Sequence, residues 1–255
     1  MPRFISFFSL VLLTATSFAQ VKIHSHNDYE QQKPFLTAYQ HRVFEIEADV
    51  FLVADSLKVS HSKSTLQQAK TLNQLYLDPI AALFAKYDGK VWPTRDLPFA
   101  LMIDVKENWN EVYPILKREI NRYGSVFKKN DSKFAIQIII SGKRPHESSF
   151  HSYPKWLYFD GLPNIKYNKS DFSRVALISD NFKNYSSWNG VGDILPADKA
   201  KLQQAVKQAN EKGKLFRFWG APDTSACWQL LNSMGKVVIN TDKIEECKTY
   251  FENNK

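Results

Sequence analysis

Two histidines and an alternating run of carboxylates carry the chemistry available to this sequence. His26 and His61 bracket Glu45, Glu47 and Asp49, and Asp104 and Lys106 follow. Imidazole is the side chain best suited to moving protons near neutral pH. Along a strand successive side chains alternate faces. Glu45, Glu47 and Asp49 therefore share one face, and Ile46, Ala48 and Val50 share the other. The apolar face suits packing against helices, which turns the acidic face inward. Adjacent buried carboxylates repel and raise one another's pKa unless a cation accompanies them. The run around Asp104 repeats the design, with Met102, Asp104 and Lys106 on one face and Leu101, Ile103 and Val105 on the other. Oxygen ligation by Glu47, Asp49 and Asp104 suits Mg²⁺ or Ca²⁺ better than Zn²⁺. The bland counterpart is a solvated edge strand with paired surface acids, and the clean apolar face argues against it. With a divalent ion, two histidines suffice to cleave a phosphodiester. One accepts the proton of the nucleophile, the other protonates the leaving oxygen, and the metal offsets charge on the phosphoryl oxygens.

These residues need elements to hold them. From residue 21 onward short β-branched or aromatic runs alternate with longer amphipathic stretches. The runs are 21–26, 44–52, 99–105, 135–140, 156–159, 175–179, 215–219 and 237–240, with 57–60 as a hairpin partner of the second. Helical spacing covers 66–86, broken or kinked at Pro79, then 111–123, 198–212, 224–234 and 243–252. The 198–212 helix opens with Asp198 as N-cap and closes at Gly213. The stretches around 145–155 and 165–173 carry only weak helical patterns. Alternating strand and helix predicts a parallel sheet with helices outside. Eight such units match the length of a single-domain (β/α)8 TIM barrel, with a doubly wound open sheet as the alternative. In a barrel the functional side chains gather at the C-terminal strand ends, where His26, Asp49, Asp104, Asp160, Asp180, Arg217, Trp219 and Asp242 all fall.

Composition narrows the classes further. The 255 residues are 44% hydrophobic and 14% aromatic, which argues against a disordered chain. The 9 glycines do not cluster, and neither GxGxxG nor GxxxxGK[ST] occurs, so a Gly-rich phosphate cradle is excluded. The net charge of +8 comes from scattered Lys and Arg. It suits an anionic substrate, and no nucleic-acid-binding motif accompanies it. Residues 1–19 read as a signal peptide: a basic start at Arg3, an apolar run from Phe4 to Leu13, and a small-x-small site at Ser17-Phe18-Ala19. The mature domain then spans 20–255 and is expected to be exported, periplasmic or secreted. Cys227 and Cys247 are either a disulfide or two buried thiols.

The stretch His24-Ser25-His26-Asn27-Asp28-Tyr29, then Ile46-Glu47-Ala48-Asp49-Val50, then Val59-Ser60-His61, resembles the PLC-like phosphodiesterase superfamily. That group contains glycerophosphodiester phosphodiesterases and phosphatidylinositol-specific phospholipases C. Ile103-Asp104-Val105-Lys106 is similar to the Glu-x-Lys strand of the glycerophosphodiesterases, with Asp for Glu. Leu75-Tyr76-Leu77-Asp78-Pro79 and Phe218-Trp219-Gly220-Ala221-Pro222 are closest to a branch whose fungal members are named for altered inheritance of mitochondria. The resemblance implies a (β/α)8 barrel, His26 and His61 as the catalytic pair, and Asn27, Glu47, Asp49 and Asp104 as ligands of a divalent metal, Ca or Mg. Lys106 would lie near the phosphate or neutralise the acidic strand. Two positions depart from the glycerophosphodiesterases: Ser62 follows the second histidine where Asp is usual, and His26-Asn27-Asp28 replaces His-Arg-Gly. The implied partner is a small-molecule or lipid-headgroup phosphodiester, met by a monomer with at most transient membrane-surface contact.

Other candidates carry two readings each. Arg217 either contacts phosphate or forms a buried ion pair with Glu45 or another acid. Trp188 and Trp219 either stack on a polyol or sugar or belong to the core. Asp242 is either an inward polar group at the last strand end or a helix N-cap. His24-x-His26 also fits a zinc amidohydrolase-type site, and a non-catalytic binding barrel is the remaining alternative.

Overall fold

The computed structural model describes residues 21–93, 99–128, 132 and 134–254. The expected signal peptide lies outside the described residues. Each short β-branched run forms a strand: β1 Lys22–Ser25, β2 Glu45–Val53, β3 Ser56–Val59, β4 Ala100–Val105, β5 Gln137–Gly142, β6 Leu157–Gly161, β7 Val175–Asn181, β8 Phe216–Trp219 and β9 Val237–Thr241. The strand order is β1-β9-β8-β7-β6-β5-β4-β2-β3, and β1 also pairs with β2. That last pairing closes eight parallel strands into a barrel and excludes the open sheet. The remaining strand, β3, runs antiparallel to β2 as the expected hairpin partner.

Closure explains the alternation in the sequence. Ile46, Ala48, Val50, Leu101, Ile103 and Val105 face outward into the main core beneath the helices. Inward, Ala100, Met102, Ile139, Leu177 and Val238 form a separate apolar plug. Inward polar residues stand in register with this plug, Glu45 opposite Ala100, Glu47 opposite Met102 and Arg217 opposite Val238, and others follow toward the C-terminal strand ends. The larger outer core accounts for most of the apolar burial, at roughly 1.5–3 kcal/mol for each fully buried large side chain.

The helices are α1 Leu36–Gln40, α2 Asp78–Lys86, α3 Trp109–Asn121, α4 Lys169–Phe172, α5 Pro196–Glu211, α6 Ser225–Asn232 and α7 Ile244–Asn253. α2 starts later than the apolar spacing suggests. Asn73–Leu77 forms a wide π-type turn before it, with Pro79 in the first turn, where its missing N–H costs nothing. α5 buries Leu202, Ala205, Val206 and Ala209 on one stripe. Pro196 opens this helix, so Asp198 is not its N-cap. The Asp198 carboxylate instead accepts from Lys201 Nζ at 2.9 Å. Gly213, at φ 76°, ends the helix as expected. The weak patterns become a 3-10 segment at Glu147–Ser152 and the single turn of α4. Cys227 and Cys247 are two buried thiols, and burial pushes each up to about 12. Among the described residues no helix is long and apolar enough to cross a membrane.

Candidate active site at the barrel mouth

β2 and β4 run side by side with Glu47 opposite Met102 and Asp49 opposite Asp104. This register brings one carboxylate oxygen each from Glu47, Asp49 and Asp104 within 4.8 Å of one another. Lys106 Nζ stands 2.9 Å from both Asp49 Oδ2 and Asp104 Oδ1. Ser141 Oγ donates to Asp104 Oδ2 at 3.1 Å. β5 can approach this closely because it ends in Gly142. At that φ of 68°, a Cβ would come within 2.5 Å of Asp104 Oδ1.

Charge in the cluster is uneven. Burial alone would raise the Glu47 carboxyl, but its bond to His24 and the charge of Arg217 outweigh that and hold it well below the ordinary range. Asp49 is pushed up to about 6 by burial and by Glu47, with Lys106 opposing. Asp49 Oδ1 is buried without a hydrogen-bond partner. Crowded carboxylates, one with an orphaned oxygen, are a donor set that fits a hard divalent cation. Glu47, Asp49 and Asp104 would hold it, with Asn27 as a further oxygen donor beside Asp49.

The two histidines reach this cluster by different routes. His26 follows β1, and its backbone N–H bonds Thr241 O of β9. Its Nδ1 lies 2.7 Å from Asp242 Oδ1, and its Nε2 lies 4.0 Å from Glu47 Oε1. Burial lowers the pKa of His26, but the Asp242 bond and the Glu47 charge more than offset this, so it ends above its ordinary value. His61 arrives through the β2–β3 hairpin. Arg118 of α3 clamps the hairpin tip by bonding both carboxylate oxygens of Asp55, at 2.8 and 2.7 Å. The returning strand delivers Ser60 N to Asp49 O at 3.1 Å. His61 Nδ1 then stands 3.8 Å from Asp49 Oδ2.

Tyr29 joins these parts, and the sequence reading assigned it no role. Its hydroxyl oxygen lies 2.8 Å from Asn27 Oδ1, 2.9 Å from Asp49 Oδ2 and 3.4 Å from His61 Nδ1. Burial and Asp49 raise its pKa, so the phenol keeps its proton. The loop that carries it is anchored by buried Asp28, which accepts from Ser25 Oγ, Phe35 N and Tyr76 Oη. Asn27 sits at φ 45°, a left-handed conformation that Asn tolerates better than most residues. The signal for Tyr29 was its place two residues after Asn27.

Arg217 forms a buried ion pair, one of its two expected readings, and its acidic partners are Glu47 and Asp160. Its guanidinium is buried and bonds Glu47 Oε2 at 3.0 Å, Asp160 Oδ2 at 3.1 Å and Asn240 Oδ1 at 3.2 Å. Its Nη1 is 2.8 Å from His24 Nε2. His24 itself is spanned by Glu45 and Glu47, each at 2.7 Å. Both of its ring nitrogens are engaged, so His24-x-His26 offers no two-histidine metal seat. Asp160 is bonded to Ser179 and Arg217. Asp180 points into its own loop, where its carboxylate accepts from Asn184 and Tyr185. Trp219 stands at the end of β8, 43% exposed. Asp242 is the partner of His26, and α7 begins without a side-chain cap.

A closed parallel barrel with three carboxylates and two histidines at its C-terminal mouth defines a phosphodiesterase-like class of TIM barrel. An AIM6-like phosphodiesterase domain is matched over residues 14–160, and the chain belongs to that family. It is 27% identical to an altered inheritance of mitochondria protein 6 homolog from Arthroderma benhamiae, over 91% of this chain and 84% of that protein. It is 21% identical to altered inheritance of mitochondria protein 6 from Eremothecium gossypii, over 88% of this chain and 68% of that one. The fold is shared with a glycerophosphodiester phosphodiesterase from Agrobacterium tumefaciens, at TM-score 0.51 and 12% identity over 91% of this chain and 100% of that one. It is also shared with an Oleispira antarctica phosphodiesterase solved with the product sn-glycerol-3-phosphate, at TM-score 0.51 and 12% identity, covering 92% and 97%.

Proposed function

We propose that this protein is a metal-dependent phosphoric diester hydrolase acting on a glycerophosphodiester, phosphoinositide-like or related phosphodiester. One observation carries the reading. His26 and His61 approach the same carboxylate cluster from two sides, at 4.0 Å from Glu47 and 3.8 Å from Asp49. When bound, a Ca or Mg ion supplies charge stabilisation to the phosphoryl oxygens.

The protein's own residues divide the proton transfers. His26 hydrogen-bonds a carboxylate, Asp242, which favours the imidazolium form, and it serves as the general acid for the leaving oxygen. His61 faces a phenol instead. With Nδ1–H donated to Tyr29, Nε2 keeps its lone pair and serves as the general base toward water or a neighbouring substrate hydroxyl. Lys106 is the cation best placed to meet a phosphate oxygen, because it is one-third exposed at the mouth. Arg217 supports Glu47 from below and is a positioning residue in this reading.

The substrate comes from the class to which glycerophosphodiesters belong. The sequence pattern supports export after cleavage behind Ala19, and no nucleic-acid-binding motif accompanies the scattered basic charge. The experiment is hydrolysis of a panel of phosphodiesters with added Ca²⁺ or Mg²⁺. Turnover should be lost with chelator, in His26→Ala and in His61→Ala. Chelator-resistant turnover, or full activity in either variant, would overturn the reading.

A further inference from the structure

The stretch Phe218-Trp219-Gly220-Ala221-Pro222 follows Arg217 directly and leads to Asp223. Its fold shows what it delivers. Phe218 is buried in the outer core against Phe182, Tyr185 and Phe216, which fixes the end of β8. Gly220 then turns the chain at φ 65°, a conformation that glycine adopts without strain. α6 follows, with the Thr224 hydroxyl accepting from Cys227 N at 3.3 Å as its N-cap. Asp223 is the residue just before that cap.

Asp223 gathers three donors. Its Oδ1 accepts from Trp228 Nε1 at 2.7 Å and from Thr241 Oγ1 at 2.6 Å, and its Oδ2 accepts from Asp242 N at 3.0 Å. A carboxylate suits this place because it accepts at both oxygens and has no proton of its own to turn away. Trp228 lies on α6, Thr241 ends β9 and Asp242 follows it. Asp223 therefore ties the loop after β8 to the C-terminal end of the neighbouring strand.

The peptide held in this way carries the partner of His26. Asp242 Oδ1 lies 2.7 Å from His26 Nδ1. The other side of Asp242 is held as well, because its carbonyl accepts from Gln31 Nε2 at 2.8 Å. His26 N in turn bonds Thr241 O at 3.1 Å. The backbone on both sides of Asp242 is thus pinned, whereas its side chain is 60% exposed. An exposed aspartate has several rotamers open to it. Its place against the imidazole depends on where its backbone is set.

We propose that Asp223 is a positioning residue for the general acid: by fixing the Asp242 peptide it keeps the Asp242 carboxylate on His26 Nδ1, so that Nε2 presents its proton to the leaving oxygen. The role in turnover rests on the hydrolase reading, whereas the hold on His26 can be read without substrate.

Asp223→Asn tests the link at one atom. With its carbonyl oxygen on Trp228 and Thr241, an orientation that keeps two bonds of the three, the amide turns an N–H toward Asp242 N and loses that bond. Thermal unfolding well above the assay temperature shows that the variant is folded. Should it not fold, Gln31→Met releases the same peptide from its other side and carries the same test. The first arm is imidazole ¹⁵N NMR on the chelator-treated protein at about pH 9, with the His26 signals identified by their absence in His26→Ala. The neutral ring of the native protein should be the Nδ1–H tautomer, because Nδ1 donates to Asp242. In Asp223→Asn a substantial share should move to the Nε2–H tautomer. The second arm is a double-mutant cycle on a diester that the native protein hydrolyses. Asp223→Asn should lower kcat by about 3- to 10-fold with KM little changed. In an Asp242→Ala background, where no carboxylate is left to place, it should change kcat by less than about twofold. A tautomer shift in a protein that hydrolyses no diester would support the hold on His26 and remove the hydrolase reading. An unchanged tautomer in the folded variant, or an equal loss of kcat in both backgrounds, would overturn the positioning role and leave the hydrolase reading standing.

Discussion

His26 and Asp242 are hydrogen-bonded at 2.7 Å across the seam where β9 meets β1, although 216 residues separate them in the chain. The pair orients the imidazole and favours its protonated form, which is the form a general acid needs. Asp242→Asn keeps the shape and removes the charge. It is expected to lower kcat by about 10- to 100-fold. Because the Asp242 bond helps hold the His26 pKa above its ordinary value, the alkaline limb of the kcat profile should move to lower pH. Steady-state rates across pH 5–9 check both effects.

Tyr29→Phe removes the hydroxyl shared by Asn27, Asp49 and His61. The expected result is a fall in kcat of about tenfold with KM little changed, since the phenol sets the His61 tautomer and not the substrate contacts. Loss of these partly buried hydrogen bonds should cost about 1–3 kcal/mol of stability. Paired kinetics and denaturant unfolding separate the two effects.

Arg217→Met leaves Glu47 and Asp160 buried without their cation. Removing one member of a buried ion network costs about 3–5 kcal/mol. Chemical denaturation of the substrate-free protein should show that loss. An arginine reserved for phosphate would leave the free protein's stability unchanged.

Asp49 makes the metal-free protein sensitive to pH. Its folded pKa, at about 6, lies above the ordinary value of 3.8. Between those values the folded state holds a proton that the unfolded chain has released, so stability falls as pH rises through that window. In chelator the native protein should show this slope, and Asp49→Asn should show a shallower one, because Asp28 and Asp160, whose carboxyls burial also raises, contribute in the same direction. Added Ca²⁺ or Mg²⁺ should suppress the slope, and metal affinity should weaken as pH falls through about 6. Denaturant melts at pH 4.5 and 7 measure the first effect, and metal titrations measure the second.

How much of this was legible in the sequence differs from residue to residue. Glu45, Glu47 and Asp49 could be placed on one face because side-chain alternation is a property of a single strand, and the same holds for Met102, Asp104 and Lys106. The hairpin partner of β2 was legible because its apolar run follows at once. Arg217 stayed open between phosphate and ion pair, since its neighbours lie on strands far away in sequence. Tyr29 was passed over because a lone tyrosine in a loop has no periodicity to mark it. Asp198 was misplaced as a cap because Pro196 is an even stronger helix opener, with its φ already set and no N–H to satisfy.

By itself the sequence determined the staves, their inward faces and the set of acids and histidines at their ends, because these depend on local period and on polar residues placed against apolar ones. Only the tertiary structure decided who meets whom. Closing β1 against both β2 and β9 sets Asp242 on His26 and Arg217 on Glu47. It also leaves Trp219 open at the mouth. Those relations follow from barrel closure and strand register, which belong to the whole sheet and to no single segment of the chain.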